Sequence, residues 1–501
     1  MMRRSKRFFF KKKHQKTFAP LGFGLAMTCG LGGCMVGPDY HRPKAPVPAV
    51  FKEMPGWKLA TPADAAPRGA WWVVFHDPLL DRLERQVEIG NQTLAADEAA
   101  FRNAEALVDE ARATLYPTLS VSPSVTRSAS GGGGSYGTNV AGFSSGGRTS
   151  TQYSLEANAS WEIDVWGRIR RQIQSNVATA QADAATLAEA RLSEQALLAT
   201  DYVELRTTDE LSRVLHNTVQ GDERALQITR NQYNAGVAAQ SDVITAQTTL
   251  EAAQSAAVNT GVARAEYEHA IAMLIGVPPA ALTIAPVPTV PPIPEIPGVV
   301  PATLLERRPD IASAERSMAA ENALIGVAIA AYYPTIDLSA AFGYAGNPIG
   351  SLFKAANQVW SLGASASETI FEGGARSAAV AAARATYDEA VANYRNTVLT
   401  AFQGVEDQLS SLRVLAQQAQ IQAATVRDAR RATQIALNEY QAGTQPYTTV
   451  VSAQNTELSA EETNVSIEQN RLTAAVTLIE DLGGGWTADQ LPKRIKERAL
   501  P

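Results

Sequence analysis

The residues best placed to carry chemistry stand near the start of the chain. Leu31-Gly32-Gly33-Cys34 sets small residues immediately before a cysteine, an arrangement that presents a thiol for diacylglyceryl transfer and cleavage ahead of it. Eight Lys or Arg lie between Arg3 and Lys16, no acid occurs before Asp39, and an apolar stretch runs from Phe18 to Leu31. That is the build of a secretory signal. The expected mature chain begins at Cys34, carrying diacylglycerol and an N-acyl chain. Cys29 leaves with residues 1–33, so no disulfide is expected even in an oxidising compartment. Met35 occupies the place where an aspartate would favour retention in the inner membrane, so sorting to the outer membrane is expected. Arg3-Arg4 could open a twin-arginine signal, but the rest of that pattern is poor.

The remaining chain offers little for a reaction. The five histidines, His14, His41, His76, His216 and His269, are scattered, and none has a cysteine or second histidine at metal-ligand spacing. Gly131-Gly132-Gly133-Gly134 is not followed by Lys-Ser or Lys-Thr, as a phosphate loop would be. Acidic pairs such as Glu461-Glu462 fit a solvated helix face better than an acid-base dyad. No enzyme, metal or cofactor is expected beyond the lipid on Cys34. The formal net charge is −6, and removal of residues 1–33 takes eight basic groups and no acidic one, giving about −14. An acidic protein lacks the basic face that phosphate binding needs, so nucleic acid is not an expected partner. No run of about 20 apolar residues follows the signal, so no membrane-spanning helix is expected.

The elements that organise the chain are duplicated. Arg224 to Gly236 reappears as Arg431 to Gly443, and the match extends through Val243/Val450, Ala246-Gln247/Ala453-Gln454 and Thr249/Thr456, with twelve identities in 27 positions at one offset of 207. Tyr116-Pro117-Thr118 and Tyr333-Pro334-Thr335 lie 217 apart, so the first copy carries ten extra residues, which fall in a glycine-rich loop. The fold is therefore expected to be one unit used twice.

Each unit should hold two strands between long helices. Residues 152–164 alternate, with Tyr153, Leu155, Ala157, Ala159, Trp161 and Ile163 on one face and polar groups on the other. Residues 335–344 and 360–367 alternate in the same way, and Leu119, Val121 and Val125 mark a fourth strand weakened by Pro123. These runs approach the roughly 9 to 11 residues a tilted strand needs to cross a bilayer. A soluble sheet with one wet face alternates identically, but aromatic residues near strand ends (Tyr153, Trp161, Trp360, Tyr344) in an exported lipoprotein fit a membrane barrel. Residues 131–147 read as a long extracellular loop, and Gly346-Asn347-Pro348 opens a shorter one. Four strands cannot close, so several protomers must pool them. Three copies give twelve; a dimer's eight would leave a barrel filled by side chains.

No proline occurs from Trp166 to Ala235 or from Gly374 to Ala442, and each stretch would reach roughly 100 Å as a helix. Val380, Tyr387, Val391, Tyr394, Val398, Phe402, Val405, Leu409 and Leu412 keep nearly the spacing of a coiled-coil seam. Both helices end at Tyr-x-Ala-Gly, followed by return helices from about Ser241 to Ile275 and Thr448 to Leu482. Between the units, residues 278–301 hold nine prolines, an extended linker in which no helix is expected.

Together these features resemble the outer membrane factor family of TolC-like exit ducts, in its lipoprotein (NodT-type) branch of efflux-pump channels. The resemblance rests on Cys34 to Pro43, on Trp71-Trp72 with Phe75-His76-Asp77-Pro78-Leu79-Leu80, and on Leu304-Leu305-Glu306-Arg307-Arg308-Pro309-Asp310-Ile311 with Ala314-Glu315. Pro309 and Pro78 also read as helix starts, with Asp310 near a positive helix end. The resemblance implies an α+β membrane protein: a homotrimer with a long coiled-coil helical barrel and a twelve-stranded β-barrel of four strands per protomer. It further implies that Tyr233, Asn234, Ala235, Gly236 and Val237, with Tyr440, Gln441, Ala442, Gly443 and Thr444, form tips that meet a periplasmic adaptor (membrane fusion) protein. The periplasmic entrance would lie at Asp242, Thr449 and Ser452; acids commonly ring such pores, and here only the first copy keeps one.

The implied function is passive conduction of small molecules from an inner-membrane transporter, expected to be proton-driven, through the adaptor and out across the outer membrane. The rivals are a type I secretion exit channel, a trimeric surface adhesin, and a structural coiled-coil lipoprotein. An adhesin would gather its four strands at the C-terminus, whereas here they come as two pairs. The expected divisions are a signal peptide (1–33), an extended segment (34–76), a first repeat (77–277), a Pro-rich linker (278–302), a second repeat (303–484) and a tail (485–501).

Overall fold

A computed structural model describes residues 35–45, 47–48, 51–53, 70–130, 148–294 and 307–493. Cys34 and the signal, the loop 131–147, part of the proline-rich linker and the end of the tail lie outside the described residues.

The first repeat runs α1 (Pro78–Gly90), α2 (Gln92–Ala113), β1 (Thr118–Ser130), β2 (Arg148–Glu162), α3 (Arg168–Asn234) and α4 (Gln240–Leu274). The second runs α5 (Pro309–Ala330), β3 (Thr335–Gly346), β4 (Gln358–Ser367), α6 (Ala375–Gln441) and α7 (Tyr447–Asp481). Helices α3 and α6 are both 67 residues long, α4 and α7 both 35, α2 and α5 both 22. At about 1.5 Å per residue the two longest reach roughly 100 Å. Both start after a left-handed glycine, Gly167 (φ 83°) and Gly374 (φ 91°).

The strands form one antiparallel sheet in the order β1-β2-β3-β4, and α2, α3, α5 and α6 continue that order side by side, with α4 packed on α3 and α7 on α6. The sheet register sets like against like. Leu119, Ala159, Ala340 and Leu362 form one row across all four strands, and Val121, Ala157, Phe342 and Trp360 the next. On the opposite face hydroxyls pair across strands, Ser124 with Ser154 at 2.7 Å and Ser128 with Ser150 at 3.0 Å.

Two expectations at the strands need correction. β2 ends at Glu162 although the alternation continues to Asp164, because the Asp164 carboxylate turns to the start of α3 and accepts from the Ile169 and Arg170 amides at 3.1 and 3.0 Å. An anion at a positive helix end outweighs one more polar site on a strand. Pro123 does not interrupt β1, which pairs through it opposite Leu155; β1 is an edge strand, where a missing donor is tolerated.

The linker also differs from a helix-free segment. Pro279–Ala281 forms a short 3-10 turn, since proline is compatible with a first helical turn. Ile284 is buried among α3 and α4. Arg206 and Arg264 donate to the Ala285 and Ile284 carbonyls, while Asp209 and Glu268 accept from the Val287 and Ile284 amides. Four charged side chains thus supply the backbone partners that a proline-rich segment cannot supply itself.

Three apolar clusters fix the bundle. Trp71, Trp72 and Phe75, in a 3-10 turn, pack with Leu80, Leu198, Tyr202 and Leu274. The seam residues Tyr394, Val398, Phe402, Val405, Leu409 and Leu412 pack with Ile311, Met318 and Phe51. Ala225, Leu226, Leu250, Tyr440, Tyr447 and Val450 close the far end. Among the described residues no helix is long and apolar enough to cross a membrane.

Candidate functional site

Each long helix ends in the same cap. The Gly236 amide donates to the Tyr233 carbonyl and Val237 to Gln232, both at 2.9 Å; Gly443 donates to Tyr440 and Thr444 to Glu439, both at 3.0 Å. This crossed pair requires a left-handed residue between its bonds, and Gly236 (φ 75°) and Gly443 (φ 71°) supply it. A side chain at either would meet nothing within 4 Å, so backbone conformation, and not space, selects glycine. The loops are consequently presented to whatever lies beyond them.

Tyr233, Asn234, Ala235, Gly236 and Val237 are all exposed, as are Gln441, Ala442, Gly443 and Thr444. Tyr440 is not. It was expected among the contact residues of the second tip, yet it is buried, its ring 5.2 Å from that of Tyr447. Its counterpart Tyr233 stays outside because the two hairpins face the bundle differently, the second packing its tyrosine against α3 and α4.

Polar contacts cross between the hairpins behind the tips. Gln232 Nε2 donates to the Tyr440 carbonyl at 3.1 Å, and Gln454 Nε2 donates to Asp222 Oδ1 at 2.9 Å. Asp222 is buried, and burial pushes its carboxyl up to about 6. Burial likewise raises Tyr447, helped by the nearby charges of Asp222 and Asp242. Asp242 and Thr449 are half-buried in the first turns of α4 and α7, and Ser452 is exposed one turn on. Sequence reasoning singled out Asp242 but missed Asp222, which it could have noticed only as an acid inside an otherwise apolar helical stripe.

Cross-links within each hairpin are also polar: Arg230 to Gln247 at 2.8 Å in the first and Arg430 to Glu461 at 2.6 Å in the second. Glu461 therefore belongs to an ion pair. Among the described residues no cluster of His, Cys, Asp and Glu is arranged to hold a metal.

At the other end, the sheet presents its apolar face without cover. Leu119 is 76 % exposed, Trp360 70 % and Leu362 77 %, while the opposite face carries Ser120, Ser122, Ser124, Asn158, Ser361 and Ser365. Exposed apolar rows of this kind suit a lipid surrounding, and both outer strands, β1 and β4, have one edge unpaired within the chain.

The segment after Cys34 is tied along the helices below this sheet. Val36 donates its amide to the Trp166 carbonyl at 3.0 Å, and Arg171 holds the Val36 and Gly37 carbonyls and the Asp39 carboxylate. Gly37 (φ 93°) lies so close to Gly326 that a side chain on it would collide with that backbone. Tyr40 donates to Glu315 at 2.6 Å, and Arg42 to the Tyr394 hydroxyl at 3.1 Å. Met35 thus sits at the corner between sheet and helices, and Cys34 precedes it.

The chain matches known proteins along most of its length. The sequence profile of the family described as outer membrane efflux protein matches residues 83–277 and 300–484. The toluene efflux pump outer membrane protein TtgC of Pseudomonas putida is 30% identical over 459 residues, covering 91% of this chain and 93% of that one. The pyoverdine export outer membrane protein OpmQ of Pseudomonas aeruginosa is 30% identical over 434 residues, covering 85% and 90%. Among solved structures, the outer-membrane channel OprN is 29% identical, with a TM-score of 0.82 over 90% of this chain and all of that one. The Campylobacter jejuni CmeC outer membrane channel shares the fold, with a TM-score of 0.84 at 22% identity over 91% and 96%.

Proposed function

Because this chain belongs to the outer membrane efflux protein family, we propose that it is the exit duct of a tripartite efflux system. It conducts small molecules from an inner-membrane pump and periplasmic adaptor across the periplasm and outer membrane. The observation that carries this reading is the sheet: an apolar face without cover, a hydroxyl-lined face behind it, and two open edges, standing on helices of roughly 100 Å. Three copies supply twelve strands and close the edges, since unpaired backbone groups in lipid cost several kcal/mol each.

In this assembly the tips Tyr233 to Val237 and Gln441 to Thr444 meet the adaptor, and the glycine-capped loops offer it backbone and small side chains. The links from Gln232 to Tyr440 and from Gln454 to Asp222 hold the hairpins together at the entrance beside Asp242, Thr449 and Ser452. Opening requires that they part. A diacylglyceryl and N-acyl group on Cys34 anchors the start of the mature chain at the membrane, directly before the strap that Arg171 fastens. The partner pump is proton-driven, in keeping with small-molecule cargo. The chain needs no reaction of its own to pass substrate.

The test is reconstitution. Protein purified from outer membranes should migrate as a heat-modifiable trimer and give stepwise ion conductance in planar bilayers. A monomer without conductance would reject the duct.

A further inference from the structure

We propose that the outward end of the sheet binds the phosphates of an outer-leaflet lipid, the chemistry of lipopolysaccharide, through Arg127 and Lys354. The proposal goes beyond the duct reading and rests on it for which end of the sheet leaves the cell.

The charges of the strands and their loops are divided by sign. No Asp or Glu occurs from Thr118 to Leu155 or from Leu338 to Ser367, and the charged residues there are Arg127, Arg148 and Lys354. An acidic chain thus carries only cations over the whole of β1, the whole of β4 and both connecting loops. The acids within the strands, Glu156, Glu162 and Asp337, all stand on the hydroxyl face: Glu156 lies opposite Ser122, and Glu162 opposite Asp337.

Arg127 stands on the other face. It continues the alternation of Leu119, Val121 and Val125, lies opposite Thr151 and is exposed. It is the one charged residue on the apolar face of the described strands. Copies pooled around a barrel bring the same strands beside it, so no acid on that face neutralises it. An arginine facing lipid is costly unless its stem lies along apolar surface and its head reaches an anion at the interface. Arg127 is placed for that, three residues before β1 ends at Ser130, about 10 Å along the strand. Its end of the sheet is the one away from the helices, where the loops join the strands.

The loop between β3 and β4 brings the second cation to the same side. It folds against the apolar face, because Phe353 packs edge-on against Tyr344 at 5.5 Å, and Tyr344 in turn against Phe342 at 6.2 Å. Asn357 holds the loop there. Its Nδ2 donates to the Ser351 carbonyl at 2.7 Å, and its side chain lies so near Gly346 that a Cβ on that glycine would collide with it. Ile349 and Phe353 remain 61% and 68% exposed, and Lys354 follows them, exposed as well. A free anion would need the cations alone. Apolar side chains beside cations, at the rim of an apolar sheet, fit a molecule with acyl chains below and phosphates above. Guanidinium and ammonium groups both bind phosphate oxygens through charge-assisted hydrogen bonds. With the helices in the periplasm these loops meet the outer leaflet, where the phosphates belong to lipopolysaccharide.

Trimers extracted from outer membranes and washed in detergent test this, with bound lipid A released by acid and measured against protein by mass spectrometry. The native chain should carry lipopolysaccharide, and R127Q and K354Q about fivefold less each, with heat-modifiable migration and conductance unchanged. No lipid A on the native chain, or equal amounts on it and both variants, would overturn the proposal and leave the duct standing; a monomer without conductance would fail the duct itself. Should R127Q not insert, K354Q carries the test, since its site lies outside the strands. In phosphatidylcholine vesicles, added lipopolysaccharide should raise the temperature at which native trimers dissociate, and raise it less for K354Q. An equal rise with phosphatidylglycerol in its place would assign the cations to any anionic surface and overturn lipopolysaccharide as the partner.

Discussion

The Arg308 guanidinium bonds both the main-chain carbonyl and the carboxylate of Asp481, at 2.8 and 2.9 Å, while its other side holds Asp310. One side chain therefore ties the start of α5 to the end of α7. Replacing it with methionine leaves the Asp481 carboxylate and carbonyl without this donor and Asp310 with only the Ile311 amide, at a cost of about 2 to 3 kcal/mol. Thermal unfolding of R308M should show a clear loss of stability. Glu189, pushed up to about 7 by burial and by Asp310, and held down by Arg308, should titrate higher still in that variant, as carboxyl-specific infrared or NMR titration would show.

Gly236 and Gly443 are fixed by left-handed backbone at positions open to solvent. Valine at either place should strain the cap by roughly 1 to 2 kcal/mol and reshape the tip while the trimer still assembles. Pump-dependent export should fall. Export at the unsubstituted rate, with the variant present in the membrane, would remove the tips from adaptor docking.

Asp222 gives the packing between the two hairpins a pH dependence of definite sign. Its carboxyl rises from the ordinary 3.8 to about 6 on burial, so the protonated form favours this packing. That contribution is fully present below about pH 3.8 and is lost as pH rises through about 6. D222N keeps an acceptor for Gln454 and removes the charge. Hydrogen exchange of the amides around Asp222 and Gln454 should accelerate from pH 4 to 7 in the native chain, beyond the intrinsic change, and lose that excess in D222N.

Leu362 lies in the row with Ala340, Ala159 and Leu119 on the apolar face. Lysine there should destabilise the inserted barrel by about 2 to 4 kcal/mol if the row sits near the bilayer midplane. Lysine at Ser361, on the hydroxyl face, should alter ion selectivity and leave heat-modifiable migration intact. Equal tolerance at both positions would contradict a lipid-facing row.

Cys34→Ser should abolish metabolic labelling by palmitate and leave the protein in the membrane fraction, held by its strands. Release of that variant into the periplasm as a soluble protein would show that the lipid, and not a barrel, does the anchoring.

Much of the fold is written in periodicity and repetition. The two-residue alternation placed all four strands, the absence of proline bounded both long helices, and the 207-residue offset of Arg224 to Gly236 and Arg431 to Gly443 matches the equal lengths of α3 and α6. Local backbone chemistry was equally legible: Asp77 accepts from the Leu79 and Leu80 amides ahead of Pro78, and Gly236 and Gly443 adopt the left-handed caps their position implied.

What the tertiary structure alone decided is which of two equivalent residues faces inward. Tyr233 and Tyr440 occupy the same place in the repeat, yet one is exposed and the other buried, because Tyr440 lies on the side of its hairpin that packs on α3 and α4, whereas Tyr233 lies on a side of its own hairpin that the rest of the chain leaves open. Asp222 reads as a surface acid until Gln454 arrives from 232 positions away. Sequence fixes the period and the turns because those depend on neighbours along the chain. The environment of a charge or a ring depends on elements folded back from far away, and no local pattern encodes it.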